Sequence, residues 1–304
     1  MHPALSVIFF TTLSGLGYGI WTWVGLRIAF GAPPMQQYEM LAQWLLLLAG
    51  AVLTAAGLLA SFWHLGKPMR AWRAFSQWRT SWLSREGVMA VLTYLPAALL
   101  VLVPLESLVL QRGLGLLLAL CSLATVACTA MIYASLKPIP AWRHPLVLPG
   151  YLGFAMLGGG LVWTAMLGAS PTTWMLLVLL ALLLAVLKLV YWRAIDRSAL
   201  PQTRGDAVGL PGRKVGVFEH PHTEANYLTR EMGFVVARRH ARLLRGLALL
   251  CFAIVPIIGL LLMLTGVLGV GAWLWLLPVS ALLGSFFERW LFFAQARHMV
   301  TLYY

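Results

Sequence analysis

Between residues 61 and 87 a polar patch separates two long apolar runs. It holds an imidazole (His64), five basic side chains (Lys67, Arg70, Arg73, Arg79, Arg85), one carboxylate (Glu86) and four tryptophans (Trp63, Trp72, Trp78, Trp82). An imidazole titrates near neutrality, and a histidine at the end of an apolar run has both dry and aqueous neighbours. Those properties suit the reduction of a quinone or the oxidation of a quinol. That reaction moves two electrons and two protons and needs hydrogen-bond partners for two oxygens. Glu86 stands at the start of the third run, close in topology to His64 at the end of the second, so the two can flank one crevice. The same residues admit a plainer reading. The helix macrodipole favours a histidine at a helix C-terminus and a glutamate in a first turn. Tryptophan and arginine gather at headgroup depth as anchors, and Arg70, Arg73 and Arg79 suit contacts to lipid or to a partner.

The elements that must position these residues follow from composition. The chain has 304 residues, of which 61% are hydrophobic and 10% charged, with a mean hydropathy of +0.84. A bilayer crossing needs roughly 20 apolar residues. The sequence therefore predicts an all-α, polytopic integral membrane protein, a bundle of eight transmembrane helices forming a single membrane domain over 1–304. The expected spans are 4–30, 39–63, 87–109, 113–136, 147–168, 172–193, 246–268 and 272–296, the first read as a retained span rather than a signal peptide. Glycines at 15, 17 and 19, at 158–160, and at 266, 269 and 271 are expected to mark seams where helices approach closely. Cys121, Cys128 and Cys251 lie in apolar runs and read as small buried hydrophobes.

Eight spans place both termini on one side, with the links after spans two, four and six. Twenty of the twenty-two Lys and Arg residues fall on that side; only Arg27 and Arg112 fall on the other. The positive-inside rule then puts the termini and large loops in the cytoplasm. With a net charge of +13 and no nucleic-acid motif, the basic residues are expected to set orientation, meet anionic lipid or dock an acidic partner. The connection 194–245 is the one long polar segment, a candidate docking loop. Its part from Pro201 to Gly216 reads as irregular, and Tyr227 to Arg245 as an amphipathic helix leading into the seventh span.

All seven histidines lie at or beyond span ends, which argues against a haem held between histidines inside the bilayer. No cysteine cluster suits a metal. Ion-coupled transporters carry ionisable residues near mid-membrane, whereas here Lys188 and the Glu288–Arg289 pair sit near cytoplasmic ends. The latter reads as a pair neutralising itself.

At His64-Leu65-Gly66-Lys67-Pro68, at Arg73-Ala74, at Ser81-Trp82-Leu83-Ser84-Arg85-Glu86-Gly87 and at the Trp142-Arg143-His144-Pro145 turn, the chain resembles the DmsC-type membrane anchor subunits of the dimethyl sulfoxide reductase family. The resemblance runs over nearly the whole length. It implies a complex in the bacterial inner membrane, with a molybdopterin catalytic subunit and a four-cluster iron–sulfur subunit docked on an anchor that exchanges electrons with menaquinone or ubiquinone. It implies quinone-binding roles for His64 and Glu86, with Lys67 and Arg85 as further headgroup contacts. Arg70, Arg73, Arg79 and His222 are the corresponding partner-docking candidates. The resemblance further implies no haem and no metal in this chain, so any activity belongs to the complex. Within the family the sequence looks most like the SoeC-type anchors of cytoplasmic sulfite-oxidising complexes, on Glu219-His220-Pro221-His222-Thr223, Asn226-Tyr227-Leu228 and Glu231-Met232-Gly233-Phe234. Electrons would then run from sulfite to quinone. A quinol-oxidising anchor, a purely structural anchor and a transporter are the alternatives.

Overall fold

The computed structural model describes residues 5–31, 37–62, 67–102, 107–198, 200–219 and 240–302. His64 and His222 lie outside these, as do residues 227–239 of the expected amphipathic helix. Among the described residues there is no strand, and eight helices are long and apolar enough to cross a membrane. They are α1 (Leu5–Phe30), α2 (Gln37–Phe62), α3 (Trp82–Leu102), α4 (Leu108–Ala134), α5 (Val147–Leu167), α6 (Pro171–Arg197), α7 (Ala241–Leu264) and α8 (Leu276–Ala294). The expected all-α membrane bundle is thus the observed architecture.

α1 is the axis of the bundle, packed on α2, α4 and α5. In an apolar solvent helices associate through close van der Waals contact, which small residues permit. At Gly19 a Cβ would collide with the Ala155 carbonyl of α5, and at Gly159 with the backbone of Gly19, so these two glycines do mark a seam, between α1 and α5, whereas a Cβ at Gly15 would meet nothing. Indole N–H groups find acceptors across the other contacts, as they must where no water competes. Trp21 Nε1 donates to the Leu47 carbonyl of α2 and Trp23 Nε1 to the Met156 carbonyl of α5, each at 2.9 Å. Gly266, Gly269 and Gly271 are no seam. They form the turn between α7 and α8, where Gly266 has a φ of +72°, a value that side chains disfavour.

α7 contains one π-helical turn at Leu250–Ile254, just before Pro256. Proline has no N–H to offer the preceding turn. The Cys251 carbonyl accepts instead from Ser280 Oγ of α8 at 2.8 Å, so the irregularity ties two helices together.

Several helix ends differ from expectation by four residues or more, among them the end of α3 at Leu102 rather than 109 and the start of α4 at Leu108 rather than 113; three of the changes run into polar sequence. α3 begins at Trp82 rather than 87, α6 extends to Arg197, and α7 starts at Ala241. In each case helix continues into polar sequence because that sequence is satisfied locally: Arg245 reaches Asp196, and Arg85 bonds the turn before α3. The stretch expected to be irregular also holds a four-residue helix, Arg204–Ala207, closed by a reciprocal Thr203–Asp206 capping box. Its backbone and hydroxyl hydrogen bonds hold the exposed Asp206 carboxyl below the usual range.

Candidate functional site

Because α3 starts early, Glu86 occupies its second turn and faces inward, 4% exposed. Its carboxyl meets the Thr129 hydroxyl of α4, while Oε1 has no hydrogen-bond partner among the described residues. Tyr18 of α1, Cys128 and Tyr133 stand within electrostatic reach. The Tyr18 hydroxyl is likewise buried without a hydrogen-bond partner among the described residues. Buried polar atoms are nearly always paired, so two buried groups without partners among the described residues, within electrostatic reach of each other, mark this as the candidate site.

Tyr18 and Thr129 continue into a cleft of about 30 Å³, lined also by Ser14, Tyr151, Ser285 and Arg289. That holds a water molecule and not a quinone ring.

The turn before α3 forms an arch over this end of the bundle. A 3₁₀ segment, Pro68–Phe75, follows the exposed Lys67. Arg85 closes the arch: its Nε donates to the Trp78 carbonyl at 3.0 Å, its Nη2 to the Arg79 carbonyl at 2.6 Å, and its guanidinium lies over the Trp82 ring. Arg70, Arg73 and Arg79 are exposed on the arch, with Arg73 over Trp72 and Arg79 over Trp78. Met69 is 90% exposed beside them. A surface that alternates cations with large exposed apolar groups suits the membrane interface or a protein partner.

α2 and α3 are joined chiefly at one place. The Tyr94 hydroxyl of α3 lies 2.5 Å from Thr54 Oγ1 of α2 and donates to the Ala51 carbonyl at 3.0 Å. Eight residues beyond that contact, α2 reaches Phe62 and α3 reaches Glu86. At about 1.5 Å per residue the two stand at similar depth, about 12 Å nearer the arch.

A second polar cluster sits at the same end, built from three residues that the sequence placed near that end without joining Lys188 to the other two. Lys188 of α6 and Glu288 of α8 form a buried ion pair, and Arg289 completes a triad through Glu288 at 2.9 Å. Glu288 and Arg289 therefore do not simply neutralise each other. The Arg289 guanidinium lies 3.5 Å over the Tyr151 ring, and Lys188 is 4.1 Å from the Tyr191 ring. The available signal was the occurrence of three ionisable residues inside apolar runs near one end. Next to the cluster, Trp142 donates to the Phe292 carbonyl and His144 Nδ1 accepts from the Leu146 N–H. Burial, and then the Lys188 charge, lower the His144 pKa below its ordinary 6.5. Burial likewise lowers that of His298, which caps the Val300 N–H. Beyond lies a hollow of about 300 Å³ lined by Asp196, Arg242, Arg245 and Arg297.

The family model for the DMSO reductase anchor subunit (DmsC) matches residues 1–294. The chain belongs to that family. This anchor is 34% identical, over its entire length and 99% of the relative's, to a subunit of the sulfite dehydrogenase of Allochromatium vinosum. As a DmsC-family anchor it is a multi-pass membrane protein, a role that implies a catalytic subunit and other partners. Its basic arch and hollow gather most of the cationic surface at one end, which fits docking on that side.

Proposed function

We propose that this chain anchors a molybdenum-dependent sulfite-oxidising complex to the bacterial inner membrane and passes its electrons to quinone beside Glu86. The observation that carries the reading is the buried Glu86 carboxyl, with one oxygen unpartnered among the described residues, under the basic arch. The full-length similarity to a sulfite dehydrogenase subunit supports the substrate. The twenty-to-two distribution of basic residues supports cytoplasmic termini and cytoplasmic partners: a molybdopterin subunit and a four-cluster iron–sulfur subunit. Arg70, Arg73 and Arg79, with His222 of the long loop, form the docking face.

Sulfite and water give sulfate, two electrons and two protons in the partner; quinone takes up two of each to become quinol. The residues of this chain bind the head and exchange protons. Glu86 can hold a proton on its free oxygen next to one quinone oxygen, while Tyr18 offers a second donor. His64, outside the described residues, is the further titratable group that this reading assigns to proton exchange with the head. Lys67 and Arg85 complete the rim, Arg85 by fixing the arch.

The narrow cleft favours a second reading, in which this chain only tethers its partners and quinone binds elsewhere. Sulfite-dependent quinone reduction in membranes separates them: it should disappear on deleting this chain and fall sharply in His64→Ala in an assembled complex. Full turnover in that variant selects the tether. A complex that oxidises quinol but does not respond to sulfite selects the reverse electron direction.

A further inference from the structure

The end of the bundle opposite the arch holds only two basic residues, Arg27 and Arg112, and both line the same cavity of about 380 Å³. The end of α1 contributes Arg27, and the start of α4 contributes Arg112. Arg27 folds across Gly31, where a Cβ would collide with its guanidinium. Gln43 and Gln111 are buried in the wall, and Glu39 is the carboxylate there, leaving these ionisable groups a net charge of plus one. Arg27, Glu39 and Gln111 also make contacts of their own.

A second hollow of about 620 Å³ adjoins the first at Leu108 and is lined along α4 by Val109, Leu110, Gly113, Leu114 and Leu117. It is apolar, and Val109 is 89% exposed in it. A cationic hollow at the helix ends, continuous with an apolar groove running along the helix, has the two-part chemistry of a phospholipid. Guanidinium forks match phosphate oxygens, and amide side chains can donate to the remaining ones. A reacting quinone is the wrong occupant. From Tyr18 to Arg27 α1 rises about 14 Å, away from Glu86 and from the arch end where redox partners would dock.

The geometry points to a phospholipid seat, with the phosphate of an anionic lipid between Arg27 and Arg112 and an acyl chain in the α4 groove. The bound lipid would join α1, α2, α4, α5 and α6 at this end. The seat is independent of the quinone reading and of the chain's orientation, which decides only the leaflet.

Native mass spectrometry of the delipidated full-length chain, titrated with phosphatidylglycerol, tests this. The wild type should retain one lipid, and Arg27→Gln/Arg112→Gln should need at least about tenfold more. Gly113→Phe should also weaken retention, because a Cβ at Gly113 meets nothing within 4 Å and its ring would enter the groove. Inorganic phosphate should not displace the lipid. Equal retention in the double variant overturns the seat. Displacement by phosphate with no effect of Gly113→Phe also overturns it, in favour of a free-anion site. If the double variant fails to fold, unchanged retention in Gly113→Phe is decisive against the proposal.

Discussion

Glu86→Gln keeps the shape and the hydrogen-bonding capacity of the side chain and removes its ability to exchange a proton. Quinone-linked turnover should fall by about 100-fold, the scale of a lost acid–base group, while reduction of a soluble artificial acceptor by the assembled complex stays unchanged. Equal turnover with quinone would move the proton donor elsewhere. The triad behaves differently, because its charges are structural. Glu288→Gln leaves two buried cations without their anion and should cost about 3–5 kcal/mol in thermal unfolding. Lys188→Met leaves the Glu288–Arg289 pair neutral and should cost clearly less; the reverse order would show that the Lys188 contact dominates. Besides His298, His144 sets the pH dependence. Its folded pKa is lowered, so the unfolded chain takes the proton more readily. Stability is full above about 6.5 and falls as the pH drops below it. His144→Asn, which keeps an acceptor for the Leu146 N–H, should flatten that slope in melts followed from about pH 7.5 to about 5. At this scale Glu86 was legible because it stands in a polar motif at a span end. The Lys188–Glu288 partnership was not, since 100 residues separate the two and only the packing of α6 near α8 joins them.

At the scale of elements the bundle depends on how closely α1 can approach its neighbours. Gly159→Val would place a branched side chain against the Gly19 backbone, which has no rotamer to yield. Overpacking of this kind costs about 1–3 kcal/mol or more. The variant should lose its single peak in size exclusion in mild detergent, whereas Gly113→Ala, facing open space, should keep it. A Gly159→Val chain that elutes and melts like the wild type would show that α1 and α5 can separate without loss. Hydrophobic length alone predicted the eight helices, and their cores agree to within a few residues. Their polar ends were harder to read. Hydropathy assigns Ser84, Arg85 and Glu86 to a loop; in the fold Arg85 is spent on the arch and Glu86 turns inward, so helix begins five residues earlier. Glycine spacing was equally ambiguous, because 15–19 and 266–271 look alike in sequence. Whether a partner backbone lies opposite decides between seam and turn, and α7 meets none at Gly266.

At the scale of the whole molecule, charge asymmetry and docking make one argument. The arch and the hollow at Arg242 and Arg297 lie at one end, and under the proposed function an electron-donating partner must approach from there. Orientation is therefore the property that ties the quinone reading to cytoplasmic partners. Lys137 in the α4–α5 turn and Val267 in the α7–α8 turn are exposed at opposite ends. The native cysteines lie in spans, so a new surface thiol can be labelled against them. In right-side-out vesicles an impermeant maleimide should label Val267→Cys and spare Lys137→Cys, and inside-out vesicles should reverse the pattern. The opposite result would place the arch outside. Partners would then have to be exported, and sulfite oxidation in the cytoplasm could no longer be coupled to this anchor, even though the buried Glu86 carboxyl itself would stand unchanged.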